Sequence, residues 1–212
     1  MGFMKIPALL LIAVLSSFSQ TAETVLLRAE SSLRNLKTFQ ADFEQLYYSA
    51  TSSIPLNETG KFYFSKPDHM KWIYEKPEKK TFLSMDGAYS YYIPADKQLY
   101  KGSIDRERTE SEVLFILSGQ KSIMDSYEVE MTSFPPYSEK VEQLKLTPKE
   151  EDGYTHLLLE LDSGSHLISR LIIFDWAGNK TEYIFKRIKT NVRFDSKLFS
   201  LNIPKDVEII EY

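Results

Sequence analysis

The hydrophobic period of this chain changes at Lys37, from a helical repeat of about 3.6 residues to a strand repeat of 2. Ahead of that point, Ala22 to Leu36 reads as one amphipathic helix. Leu26, Ala29, Leu33 and Leu36 recur at spacings of three and four, while Glu30, Arg34 and Lys37 fall elsewhere. Thr21 is placed to cap its start, with Glu23 and Thr24 in the first turn. Beyond Lys37, Phe39, Ala41 and Phe43 alternate with Gln40, Asp42 and Glu44, the mark of a strand with one buried face. The alternation then persists through Gly60–Ser65, Met70–Tyr74, Phe82–Met85, Tyr89–Ile93 and Gln98–Lys101. Turn signals separate these runs: Lys66-Pro67-Asp68, Asp86-Gly87 and Pro94-Ala95-Asp96. Connections this short favour antiparallel hairpins over parallel crossovers.

The pattern breaks once. Thr109-Glu110-Ser111-Glu112 has the form of a capping box and leads into Val113-Leu114-Phe115-Ile116-Leu117, which closes at Gly119. Five consecutive large apolar residues make a helix that needs cover on nearly every side. A second short helical piece fits Ile123–Tyr127. Strands resume at Tyr127–Met131, Gln143–Thr147, His156–Asp162, Leu167–Asp175 and Lys180–Lys189, the last two joined by a turn at Trp176-Ala177-Gly178-Asn179. Phe194, Phe199, Leu201 and Ile203 precede Pro204, and Val207–Ile210 is a final short strand. No repeat, low-complexity linker or domain boundary interrupts residues 20–212, which read as a single domain. The fold class is mainly β: an antiparallel meander of about eleven strands, curled or nearly closed, with helices laid over an apolar face.

Ile6–Leu15 is an apolar run of about ten residues, too short to span a bilayer and suited to a signal-peptide core. Ser17 and Ser19 fit the small positions before a cut, so residues 1–19 read as a signal peptide cleaved after Ser19. A retained N-terminal anchor is the alternative. The expected compartment is the periplasm, with the mature chain soluble. Loss of Lys5, the one charge in that segment, takes the formal net charge from -4 to about -5. That balance provides no footprint for nucleic acid. The absence of cysteine excludes a disulfide scaffold, a thiolate metal site and a cysteine nucleophile.

Residues for catalysis are scarce. The sequence has no G-x-S-x-G elbow, H-E-x-x-H motif, Walker loop or G-x-G-x-x-G fingerprint. His69, His156 and His166 are scattered, Glu150-Glu151-Asp152 reads as a solvated loop, and Lys76, Lys79 and Lys80 around Pro77 form only a small basic cluster. Asn57 and Asn179 lie in N-x-T sequons that matter only in a eukaryotic secretory pathway. The expectation is a protein that is not an enzyme and needs no metal or cofactor. What stands out is apolar bulk: Phe39, Phe43, Phe62, Phe64, Met70, Trp72 and Tyr74 exceed what a small sheet facing one short helix uses. An ordinary aromatic core and a cavity lined for acyl chains both fit that surplus.

Several segments resemble the LolA-type periplasmic carriers that bring lipoproteins to the outer membrane. Leu33-Arg34-Asn35-Leu36-Lys37-Thr38-Phe39-Gln40-Ala41-Asp42-Phe43-Glu44-Gln45 is similar to the family's first helix and its F-x-A-x-F-x-Q strand. Gly60 to Trp72 resembles its G…R-P-x-x-(apolar)-x-W stretch, and Ser84-Met85-Asp86-Gly87 with Tyr91-Tyr92-Ile93-Pro94 resembles its S-D-G…Y-x-P stretch. Leu146-Thr147-Pro148-Lys149 and Phe199-Ser200-Leu201-Asn202-Ile203-Pro204 fit its second half. The resemblance implies a half-open antiparallel β-barrel of about eleven strands under an α-helical lid. It implies a carrier that shields lipoprotein acyl chains between the inner and outer membranes. The implied partners are lipoprotein cargo, an inner-membrane lipoprotein-releasing ATP-driven complex and an outer-membrane acceptor lipoprotein; the carrier itself is an expected monomer. A lipid sensor or other lipid-binding protein of the same fold is the main alternative, and a secreted hydrolase a more distant one.

On this reading Leu33, Phe43, Phe62, Phe64, Met70, Trp72 and Tyr74 line the acyl-chain cavity, and Val113, Leu114, Phe115 and Leu117 face it from the lid. In the family an arginine before the proline holds the lid closed; Lys66 stands there instead, keeping the charge without the planar fork. Positions 62, 64 and 66 share one strand face, which puts Lys66 at the rim of the aromatic wall. Its expected acceptors are lid carbonyls near Leu117–Gly119. A solvated turn lysine is the other reading.

Overall fold

The computed structural model describes residues 21–52, 54–103, 113, 116–119, 122–151, 153–195 and 197–212. The expected signal peptide at residues 1–19, the expected capping box at 109–112, and Leu114 and Phe115 lie outside the described residues. Helix α1 (Ala22–Asn35) starts as expected, with the Thr21 hydroxyl accepting from the Thr24 backbone N–H at 3.2 Å. Strands β1 (Thr38–Tyr48), β2 (Leu56–Ser65), β3 (His69–Lys76), β4 (Lys80–Met85), β5 (Ala88–Ile93) and β6 (Gln98–Ser103) follow. Val113 and residues 116–118 have helical backbone. The single turn α2 (Ile123–Ser126) then leads into β7 (Tyr127–Met131), β8 (Val141–Pro148), β9 (Tyr154–Asp162), β10 (Ile168–Asp175), β11 (Lys180–Thr190) and β12 (Glu208–Glu211).

All twelve strands form one sheet in the order β12-β6-β5-β4-β3-β2-β1-β11-β10-β9-β8-β7. The expected antiparallel meander is present, one strand longer than the approximate count. One pair departs from the pattern: β12 joins β6 in parallel. Among the described residues no ladder joins β7 to β12, so the sheet does not close on itself. Strand β1 is central, with β2 on one side and β11 on the other. Several strands outrun their apolar cores. β1 and β2 pair on through Glu44 with Thr59, Gln45 with Glu58 and Leu46 with Asn57, where polar residues carry no burial signal. At the β4–β5 turn, Asp86 and Gly87 both have positive φ (54° and 76°), as a two-residue hairpin of this hand requires.

Register arranges the inner face into rows across the strands. One row runs Ser84, Met70, Phe64, Phe39; the next runs Phe82, Trp72, Phe62, Ala41; a third runs Tyr74, Gly60, Phe43, Phe185. Small residues sit where large rings need room. Phe43 meets the Trp72 ring edge-on at 4.8 Å, and Phe62 lies 4.3 Å from it. The far half of the sheet is aliphatic, with Leu171, Leu159 and Leu144 in register. Helix α1 lies over β7 and β8 on this same core, burying Val25, Leu26, Ala29 and Leu33.

The outer face is strapped by two irregular segments. Lys71, between the inward Met70 and Trp72, is 8% exposed and donates to the carbonyls of Leu198 (2.7 Å) and Ser200 (2.8 Å). Phe194 and Phe199 pack against Tyr63 and His69 beside it, which explains the apolar residues before Pro204. Over the other half, fully buried Glu160 accepts from the Tyr137 backbone N–H and from Gln143 Nε2, each at 3.1 Å. The basic cluster around Pro77 is no patch. Lys80 ion-pairs with buried Glu58 at 2.6 Å and lies over the Tyr74 ring.

Gly60 gives the fold a direct test. A Cβ there would stand 2.0 Å from the Ile73 carbonyl oxygen and 2.9 Å from Phe43 Cε1. Gly60→Ala should therefore destabilise the protein by about 1–3 kcal/mol, the range for overpacking a filled core. A lowered denaturant midpoint at unchanged m-value is the expected outcome; an unchanged midpoint would mean that the strand spacing at β2–β3 adjusts freely.

Candidate functional site

The apolar inner wall and the helical pieces above it form the candidate site. Phe62, Phe64, Met70 and Trp72 are completely buried, and Leu33, Phe43 and Tyr74 nearly so. Val113, Ile116 and Leu117 belong to the same cluster, so the helical segment is inserted into the core. Leu114 and Phe115 lie outside the described residues.

Two polar contacts fix the helices above this wall. Lys66 Nζ donates to the carbonyls of Leu33 (2.8 Å) and Arg34 (3.1 Å), in the last turn of α1. Both carbonyls lie in the last turn of the helix, where Leu33 also accepts from the Leu36 N–H at 3.1 Å and keeps a second lone pair for the ammonium, and the negative end of the helix dipole favours a cation there. The expected acceptors near Leu117–Gly119 are not the ones used. The reason lies in the chain itself: α1 ends two residues before β1, and register sets Thr38 opposite Ser65, so residue 66 meets the end of α1. The Lys66 backbone N–H also reaches the Lys37 carbonyl at 3.0 Å. Desolvation, and then the charge of Arg34, hold the Lys66 ammonium below its ordinary pKa. The segment expected to hold these contacts is nevertheless adjacent. A Cβ on Gly119 would lie 3.6 Å from the Leu33 carbonyl and from the Arg34 nitrogen.

The second contact was not expected. Glu30 is 6% exposed, and one carboxylate oxygen accepts from the Ser122 hydroxyl (2.8 Å) and the Ile123 backbone N–H (2.6 Å). It caps α2 in place of Ser122, whose own side chain makes no cap bond. Arg34, one turn along α1, approaches the other oxygen at 3.5 Å. The signal was present in the sequence: position 30 lies four residues after Leu26 and three before Leu33, on the apolar stripe and off the solvent face. A cavity of about 140 Å³ lies at this joint, between Leu33, Ile116 and Ile123 on its apolar side and Glu30, Arg34 and Ser122 on its polar side. Among the expected lining residues, Leu33 borders it.

The sequence profile of the family described as outer membrane lipoprotein carrier protein LolA matches residues 34–202. The chain belongs to the LolA family. A relative from Methylococcus capsulatus, named outer-membrane lipoprotein carrier protein, is 28% identical over 196 residues, covering 91% of this chain and 90% of its own. One of the same name from Azotobacter vinelandii is 21% identical over 212 residues, the full length of both chains. The crystal structure of an uncharacterised conserved protein from Thermus thermophilus superposes with a TM-score of 0.59 at 12% identity. It covers 90% of this chain and 99% of that one, a likeness of fold alone.

Within this LolA-family chain the histidines stay apart, as expected. His69 stands at the β2–β3 turn, while His156 stacks on Phe174 and His166 faces Glu142, both on the far half of the sheet. Among the described residues one set of metal-capable side chains converges. Asp68, His69 and Asp86, on the outer turns of two hairpins, bring one ligand atom each within 4.8 Å of one another, with the Asp86 side chain 80% exposed.

The Glu30 joint is open to measurement. Glu30→Ala leaves the Ile123 N–H and Ser122 hydroxyl without their acceptor, at a cost of about 1–3 kcal/mol. Denaturant unfolding should report that loss, and Glu30→Gln, which keeps an oxygen in place, should recover most of it. Equal stability of all three proteins would mean that water serves these groups as well as the carboxylate does.

Proposed function

We propose that this protein is a periplasmic carrier, not an enzyme, that shields the acyl chains of lipoproteins and moves them from the inner to the outer membrane. The observation that carries the reading is the construction of the core. A wall of Phe62, Phe64, Met70 and Trp72 is covered by short helical pieces, where a second sheet or a long helix would make a permanent seal. Family membership and the names of the relatives support the same cargo class. Residues 1–19 act as the signal peptide and 20–212 as the carrier domain. No helix among the described residues is long and apolar enough to cross a membrane, in keeping with a mature protein that travels between two membranes.

The mechanism is exchange of one buried apolar surface for another. Val113, Ile116 and Leu117 fill the space when no cargo is present, and acyl chains displace them. Leu33, Phe43, Phe62, Phe64, Met70, Trp72 and Tyr74 form the fixed wall, and Lys66 is the latch through the end of α1. An inner-membrane ATP-driven complex loads the carrier and an outer-membrane acceptor empties it. The decisive experiment follows purified residues 20–212 with lipoprotein-loaded inner-membrane vesicles. The expected result is a soluble 1:1 complex that passes its lipoprotein to outer membranes; lipoprotein left wholly in the vesicles would overturn the reading.

Two substitutions test its parts. Met70→Glu puts a carboxylate against the chains at a cost of several kcal/mol unless it protonates, so acyl-peptide affinity should fall at least about tenfold. Met70→Leu, of similar volume, should bind normally; equal affinity of all three would place Met70 outside the cavity. Lys66→Leu frees the α1 carbonyls, and ANS fluorescence of the cargo-free protein should rise as apolar surface opens. Lys66→Arg should keep it low, since the guanidinium fork reaches two carbonyls. Identical dye binding in the three proteins would leave the lid held by apolar packing and the Glu30 joint.

A further inference from the structure

Two hydrogen-bond donors in the apolar wall have no partner among the described residues. Trp72 Nε1 and Ser84 Oγ are both enclosed, in residues 0% and 1% exposed. They belong to one face and to neighbouring rows. Ser84 stands opposite Met70, Trp72 stands opposite Phe82, and the pairings place Ser84 and Trp72 diagonally across the β3–β4 ladder. Diagonal neighbours on an antiparallel pair are about 7–8 Å apart at Cα, within reach of a single ligand headpiece. Buried donors are nearly always paired in native proteins, and each one left open calls for an explanation.

Ordered water is a poor answer at this place. A water could accept from these donors, but its own hydrogens would need acceptors, and beside Trp72 they would meet the rings of Phe62 (4.3 Å), Phe43 (4.8 Å) and Tyr183 (5.1 Å). A free carboxylate would bring an uncompensated charge into the same surroundings. An amide would satisfy a donor but bring an N–H of its own that needs an acceptor. The group that fits is a neutral carbonyl acceptor with hydrocarbon on both sides.

We infer that Trp72 and Ser84 form a subsite for the ester carbonyls of a diacylglyceryl group, with the indole N–H and the hydroxyl each donating to one ester oxygen. The inference rests on the carrier reading and adds what the wall reads in its cargo: the linkage of the chains as well as their length. Two esters on adjacent glycerol carbons offer two acceptors to two donors. The donors stay open in the empty protein and are satisfied by the right cargo, so the linkage contributes to affinity that bare hydrocarbon lacks.

The test compares the binding of four probes to the whole mature protein: an S-(dipalmitoylglyceryl)cysteinyl peptide, its dialkyl-ether counterpart without carbonyls, and a diester and a diether phosphatidylglycerol. Wild type should bind the ester lipopeptide about tenfold more tightly than the ether. Trp72→Phe keeps a ring without the N–H and Ser84→Ala removes the hydroxyl; each should reduce the ester-to-ether affinity ratio about threefold, and the double variant should bring that ratio to one, whatever the smaller ring does to the affinity for both probes. Ester preference confined to the lipopeptides assigns the subsite to lipoprotein cargo. The same preference in the phospholipid pair assigns it to diacylglyceryl lipids in general, and both results support it. Tight but equal binding of ester and ether overturns the subsite and leaves the carrier reading intact; no binding of any probe overturns both. A stability readout separates a ligand role from a structural one. Ser84→Ala should melt no lower than wild type, whereas a fall would show that the hydroxyl is already paired in the empty protein and would overturn the inference.

Discussion

An open sheet with one apolar face depends on whatever is laid over that face. Twelve strands in a single layer bury nothing by themselves, and among the described residues the ladder does not close between β7 and β12. The outer face is sealed by strap segments through buried polar anchors, Lys71 at one half and Glu160 at the other. Those anchors join backbone to charged side chains, and they hold without apolar exchange. The inner face is covered by α1, by Val113, Ile116 and Leu117, and by α2, through apolar contact and two polar joints. One side of the sheet is fastened and the other is plugged.

Both polar joints use backbone groups at a helix end. Lys66 serves carbonyls in the last turn of α1, and Glu30 serves the first N–H of α2. They meet at one place, since Leu33 and Arg34 are touched by Lys66 and also lie next to Gly119, while Arg34 faces Glu30. A disturbance at either joint therefore reaches the other through α1. Lysine at position 66 gives this cation two acceptors from a single point charge, a looser hold than a guanidinium fork.

Parity made the inner wall legible in the sequence. Phe39, Ala41 and Phe43, Phe62 and Phe64, and Met70, Trp72 and Tyr74 alternate strictly, and all are buried together. The turns were legible for the same local reason, with Asp86-Gly87 and Gly178 at the positive φ values that their residue types suit. What stayed hidden was nonlocal. Lys71 between two inward residues reads as a solvated lysine until the 191–207 strap lies over it. Glu30 reads as outward because charge is assigned to solvent, although its spacing from Leu26 and Leu33 placed it on the buried stripe. The acceptors of Lys66 were misplaced by looking to the lid, when the two-residue link between α1 and β1 already brought the nearer helix end to that turn. The parallel β12 pair depends on where the strap returns the chain, and no local pattern encodes it.

Reversible carriage places a limit on how tightly the wall is allowed to hold anything. Burying an aliphatic side chain is worth about 1.5–3 kcal/mol and a methylene about 0.8 kcal/mol. Displacing Val113, Ile116 and Leu117 thus costs about as much as burying six to eleven methylenes returns. The two chains of a diacylglyceryl group exceed that range when measured against water, but they leave a membrane in which they are already buried, so hydrocarbon alone discriminates poorly among lipids. In the proposed mechanism, closing the lid again would recover the side-chain burial and favour release. In that exchange the two joints at Lys66 and Glu30 would add to the closed side of this balance, and the donors at Trp72 and Ser84 to the loaded side. On the proposed mechanism hydrocarbon is exchanged for hydrocarbon, which lets a few hydrogen bonds bias the direction in which the exchange runs.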